Sequence, residues 1–186
     1  MPNYNSTKDF LLQQNKNFID IRNANKILRE ATLNTAAAIK RRVQQEGKKQ
    51  DGTPIKKDGY STKPLKWVKI TNKWGAVASA KRTEKRKAKL GEDKYLFFPG
   101  GYKEFRKSLG RQVAHVDLTL SRDMFRAWRV VPISKNEYGI TFVSDYGMEI
   151  SNYHEKRFGE IFKPTKQEND MALITIVRKV QEFISR

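Results

Sequence analysis

VAHVDLTLSRDMFRAWRVVPISKNEYGITF, residues 113–142, decides how the rest of this chain is read. Residues 113–120 have strand composition, β-branched and apolar side chains in a short run. Ser121 to Trp128 reads as one or two helical turns. Ser121 is placed to cap it, Asp123 sits in the first turn where negative charge suits the helix dipole, and Met124, Phe125 and Trp128 can reach a core. Segments 129–133 and 139–143 read as a hairpin that turns through Ser134 to Gly139, with Asn and Gly where tight turns want them.

Downstream, residues 145–158 carry Met148, Ile150, Tyr153 and Phe158 in a helical pattern closed by Gly159. Thr165 with Glu168 three residues on is a capping box. The helix it opens carries Leu173, Ile176, Val177, Val180, Phe183 and Ile184 at helical spacing. Upstream, Tyr102 to Leu109 reads as a helical turn with Phe105 and Leu109 inward and Gly110 as its stop. At the N-terminal end, Ile21, Ala24, Ile27, Leu28, Ala31 and Ile39 define an amphipathic helix from Asp20 to Glu46, ended by Gly47. Residues 1–19 read as an arm, with a short helix from Asp9 to Asn15.

Residues 47–94 separate that first helix from the rest. Residues 47–64 are dense in Gly, Pro, Asp and Lys, residues 65–79 alternate around Trp67-Val68-Lys69-Ile70 as a half-exposed strand would, and residues 80–94 are nearly all charged. Between Lys48 and Lys89 stand fourteen basic residues and three acidic ones, so this segment holds most of the +18 net charge. Such a run alone is a solvated loop. Its concentration, with Trp67 and Trp74 interleaved, raises phosphate contact level with that reading, and Lys81, Arg82, Lys85, Arg86, Lys87 and Lys89 are the candidate nucleic-acid residues.

The expected fold class is α+β: a small antiparallel sheet packed with a long N-terminal helix and a C-terminal helix, with a long basic loop insertion. One domain is expected over residues 1–186, in which 95–186 supply the sheet core and the C-terminal helix. A chain of 186 residues buries about two thirds of its unfolded surface, enough for a core without staples.

Most chemistry is excluded by what is missing. With no cysteine there is no disulfide, thiolate zinc site or Cys nucleophile. No apolar run approaches a membrane span, and residues 1–12 lack a secretory pattern. His115 reads as a structural histidine, and His154-Glu155 has no second histidine at metal-ligand spacing. Gly91, Gly100 and Gly110 fit neither a Walker nor a dinucleotide fingerprint, and no serine stands in a nucleophile elbow. Asp117, Asp123 and Asp145 could be drawn as a two-metal nuclease cluster, but scattered acids on so basic a chain read first as partners of lysines. No catalytic residue, cofactor, metal or small-molecule substrate is expected.

Order and wording together resemble a known family. Val116 to Trp128, the strand pair through Ile140-Thr141-Phe142, Tyr153-His154, and Phe162-Lys163-Pro164-Thr165 with Glu168 opening a terminal helix resemble the neck and tail-completion proteins of tailed bacteriophages. That group includes virion-morphogenesis and minor tail proteins. Gly52-Thr53-Pro54-Ile55-Lys56, followed by lysines, is similar to the loop those proteins carry after their first helix. Arg122 stands where the family commonly has glycine. The resemblance implies a non-enzymatic virion protein, forming a homo-oligomeric ring in the head-tail connector around the DNA channel. Its partners would be portal, connector or tail proteins and duplex DNA without sequence preference. From charge alone, a free protein that coats RNA or DNA, or sits on the ribosome, is the alternative.

Overall fold

In the computed structural model, residues 7–69, 88–90, 93–119 and 123–185 are described, and the fold is α+β as expected. Contacts divide the chain into two compact units: Met1–Arg41 with Asp123–Arg157 and Phe162–Arg186, and Arg42–Arg122 with Phe158–Ile161.

The first unit is built on α1, Thr7–Arg41. It is longer than the helix expected from Asp20, and the short helix expected at Asp9 to Asn15 is part of it. The reason is local: no Gly or Pro occurs between Thr7 and Arg41, so nothing ends the helix. Ala31, Thr35, Ala36 and Ile39 share its buried face. The Thr32 and Thr35 hydroxyls donate to the carbonyls of Leu28 and Ala31 one turn back, so these polar groups are satisfied within the helix.

Against α1 pack the hairpin of β4, Trp128–Ser134, and β5, Glu137–Phe142, and the helix α5, Lys166–Ile184. Trp128 donates its indole N–H to the Ala36 carbonyl at 3.1 Å, and its ring lies 4.7 Å from Phe142 and 5.9 Å from Phe162. The hairpin turns through Lys135-Asn136 alone, more tightly than the expected Ser134 to Gly139. Gly139 instead pairs with Val131 inside the strand, and a side chain there would meet Ile133 Cδ1 at 2.8 Å.

The single helical turn α3, Asp123–Arg126, buries Met124 and Phe125, as the sequence indicated, while Ser121 lies outside the described residues. Helix α4, Asp145–Phe158, starts where Ser144 accepts the Gly147 N–H. The capping box of α5 is formed in both directions: Thr165 N donates to Glu168 Oε2 at 2.7 Å, and Glu168 N to Thr165 Oγ1 at 3.1 Å.

In the second unit, the residues expected to finish the first helix form a π-helical turn instead, Arg42–Glu46, stopped by Gly47 at φ 64°. The strands β1, Leu65–Lys69, β2, Ala88–Leu90, and β3, Asp93–Phe98, form an antiparallel sheet in the order β1-β3-β2. Part of the expected insertion is therefore sheet. Helix α2, Gly101–Ser108, covers it, with Phe105 against Phe98 and Leu65, Val68 and Leu109 around them. Residues 113–119 are not the strand that their composition suggests, and Leu118 has a φ of 54°. Side chains take the place of a ladder there: Gln112 Oε1 accepts the N–H groups of Ala114 and His115, and Asp117 Oδ1 accepts that of Thr119.

Candidate nucleic-acid interface

The site rests on a buried ionic anchor. Arg106 of α2 has a side chain 1% exposed and reaches both carboxylate oxygens of Asp117 with Nη2, at 2.9 Å each. Tyr60 donates its hydroxyl to Asp117 Oδ1 at 2.8 Å and accepts the Asp117 N–H at 2.9 Å, and Gln112 donates to Oδ2 at 2.6 Å. The guanidinium also lies over the Tyr60 ring, 4.3 Å from its centroid, and that ring sits 5.5 Å from Tyr102. Burial works against the charge on Asp117, but the hydrogen bonds from Gln112, Thr119 and Tyr60 outweigh it and hold the carboxyl below its usual range. Burial pushes the Tyr60 hydroxyl well above the ordinary tyrosine value and that of Tyr102 in the same direction.

This anchor fixes three pieces of chain to one another: the loop ending at Tyr60, helix α2, and residues 112–119. The loop 47–61 is closed by a Lys48–Pro54 bridge and by Asp51, which accepts from Thr53 N and Oγ1. Asp51 is thereby held below the usual carboxylate range, first by the Thr53 hydroxyl and then by its N–H. Lys103 N donates to Ser61 O at 3.0 Å, which sets the Ser61–Lys63 segment on the first turn of α2.

On this frame Lys57, Lys63, Lys66, Lys103 and Lys107 are exposed and make no ion pair with any described residue, whereas Lys48 and Lys49 are matched by Glu46 and Asp51. Lys103 and Lys107 stand one turn apart on one helix face. That i, i+4 spacing is readable in the sequence; a search for charge runs passes over it because the pair follows the Pro99-Gly100-Gly101 turn, beyond the obvious run. Of the six candidates, Lys81, Arg82, Lys85, Arg86 and Lys87 lie outside the described residues. Lys89 lies in β2, where the register sets it opposite Lys94 of β3.

Surface lysines with no acidic partner among the described residues are point charges that hold phosphates without reading bases. Asp117 is committed to Arg106, and among the described residues no three His, Asp or Glu side chains converge on a metal position. His115 packs its ring on Gly47 and meets the Gln44 carbonyl through Nε2 at 3.1 Å, a structural role. In the other unit, Asp123 is 3.7 Å from Arg126, and burial followed by the charge of Arg157 lowers the pKa of His154. No described helix is long and apolar enough to cross a membrane.

Comparison with models of protein families, with curated proteins and with solved structures gives no match to this chain.

Proposed function

We propose that this protein is a non-enzymatic structural component of a tailed-phage virion. It is one subunit of an oligomeric ring in the neck or tail-completion complex, with its basic unit turned to duplex DNA in the channel. The observation that carries this reading is a division of surface. The second unit holds 21 Lys and Arg against nine Asp and Glu, net +12, whereas the first holds 17 against 11, net +6. Among the described residues, eleven of the twelve exposed large hydrophobic side chains belong to the first unit.

A chain with the greater net charge in one unit and, among the described residues, most of its exposed large apolar side chains in the other is equipped for two partners of opposite chemistry, a polyanion and another protein surface. The family resemblance supports the same reading. A free coating protein needs the cations but gives the apolar faces no task.

The test has two arms. Mass spectrometry of purified virions should find the chain; its absence from assembled particles refutes the placement. In solution, affinity for duplex DNA should fall steeply with salt. Replacing Lys81, Arg82, Lys85, Arg86, Lys87 and Lys89 by Gln should flatten the slope by about 0.9 for each phosphate no longer neutralised. Divalent-cation-dependent cleavage that Asp145→Asn abolishes would make the protein a nuclease instead.

A further inference from the structure

We infer that the outer face of α5 on one copy of this chain meets the outer face of α4 on the next, as an antiparallel helix contact. The inference rests on the ring reading and names the surfaces that would build the ring.

Helix α4 turns Gly147 and Ser151 inward and leaves Tyr146 and Tyr153 57% and 53% exposed. Helix α5 sets Glu168 inward and leaves Ile174 and Val177 66% and 53% exposed, with Leu173 beside them. Apolar side chains of this size left in water along one helix amount to a few hundred Å2, the scale at which a patch marks a contact.

Charge selects a second copy as the occupant. The whole chain carries +18, which drives copies apart. These two helices are close to neutral: α4 has three acidic and two basic residues, and α5 three of each. On a chain this basic, helix faces that are both near-neutral and apolar are places where copies can touch.

The charges also set the direction. Glu149 and Arg157 stand eight residues apart on α4, acid first, as Asp170 and Arg178 do on α5. Both spacings are about 12 Å at 1.5 Å per residue. An antiparallel alignment brings Glu149 to Arg178 and Arg157 to Asp170, with Ile150 level with Val177 and Tyr153 with Ile174. A parallel alignment opposes acid to acid and base to base. Arg157 already donates to the Tyr153 hydroxyl at 2.8 Å, which holds both on the outer face of α4. Because the two faces differ, each copy can offer one to either neighbour, and such a head-to-tail contact propagates, as a ring where the rotation closes and as a filament where it does not.

The chain has no cysteine, so introduced thiols report without background. Tyr153→Cys/Ile174→Cys should give a ladder of disulfide-linked multimers ending at one fixed size on mild oxidation in about 0.5 M salt, where the Debye length is about 4 Å. The two single variants mixed should give dimers, and either alone should stay monomeric. Complete dimerisation of Ile174→Cys alone would replace the inference by an α5–α5 pair. A double variant no more cross-linked than Lys57→Cys would overturn it outright. Without any thiol, Ile174→Glu should weaken association in sedimentation at least tenfold, and unchanged association refutes the proposed pairing. Loss of DNA binding in the Lys/Arg→Gln variant should leave the ladder intact. A ladder without DNA affinity therefore sinks the functional reading alone, and DNA affinity without a ladder sinks only this helix pairing.

Discussion

Replacing Asp117 by Ala should be the most damaging single change in the second unit. The Asp117 side chain is 5% exposed and that of Arg106 1%, so the substitution leaves a guanidinium with no counter-charge and little water to solvate it. Tyr60 and Gln112 lose an acceptor in the same step. Breaking a buried pair by removing one partner costs about 3–5 kcal/mol, more than the pair itself contributes over an apolar replacement, because the stranded charge is the expensive part. With a urea dependence of about 2 kcal/mol/M, the midpoint falls by about 2 M.

The assay is urea titration read by amide hydrogen exchange, resolved to peptides. Peptides covering 55–61 and 105–119 should lose protection first, with the peptide around Trp128 as the reference for the other unit. The acid side follows from the same group. Its folded pKa lies below the unfolded value, so its stabilisation is full above the ordinary carboxylate range and is lost as pH falls through the folded pKa. Asp117→Ala should lack this acid-dependent part. A loss under about 1 kcal/mol in Asp117→Ala, or an unchanged acid limb, would show that the anchor holds nothing together.

Thr165→Ala removes one half of the reciprocal cap on α5 and should cost about 1 kcal/mol in thermal or chemical unfolding of the first unit, while Thr165→Ser should cost far less. Gly101→Ala meets two obstacles, a φ of 71° and the backbone carbonyls of Ser61 and Lys63 where the new methyl would lie. It should destabilise the second unit by more than about 1 kcal/mol and expose the Ser61–Lys63 segment to exchange. At the alkaline end, Tyr60 is neutral when folded and has a raised pKa, so stability should drop as pH passes about 10, where the unfolded tyrosine ionises. In Tyr60→Phe that drop should shrink.

How far the sequence can be read depends on whether the signal is local. Thr165 and Glu168 bond to each other over one turn, so the pattern TxxE carries the geometry whole. Phe105, Gly110 and Gly159 are readable for the same reason: a buried position on a short helix, and two stops at φ 66° and 89°. Composition misleads at residues 113–119 because it describes only the segment itself. What decides their conformation is a partner eleven residues away, Arg106, and another 57 away, Tyr60, which draw Asp117 inward. A strand would point that carboxylate by alternation alone. The same limit applies to the candidate interface: a run of like charge is visible in one dimension, but which cations lack an acid beside them is a property of the fold.

In the ring proposed above, the balance of charges would couple closure to DNA. Duplex DNA carries one negative charge per about 1.7 Å of axis, so the net +12 of one basic unit matches about 20 Å of duplex. Copies brought side by side through near-neutral helices still carry their basic units with them. At physiological ionic strength charges are screened beyond about 8 Å, so the repulsion is confined to basic surfaces that come close. Closing a ring concentrates those surfaces on whatever they surround. A polyanion there changes the sign of the largest electrostatic contribution to assembly, from opposing the last subunit to favouring it. If copies meet through the helices proposed above, the two halves of the surface are not independent devices: the apolar helices would decide where copies touch, and the charge they bring together would decide what fills the space between them.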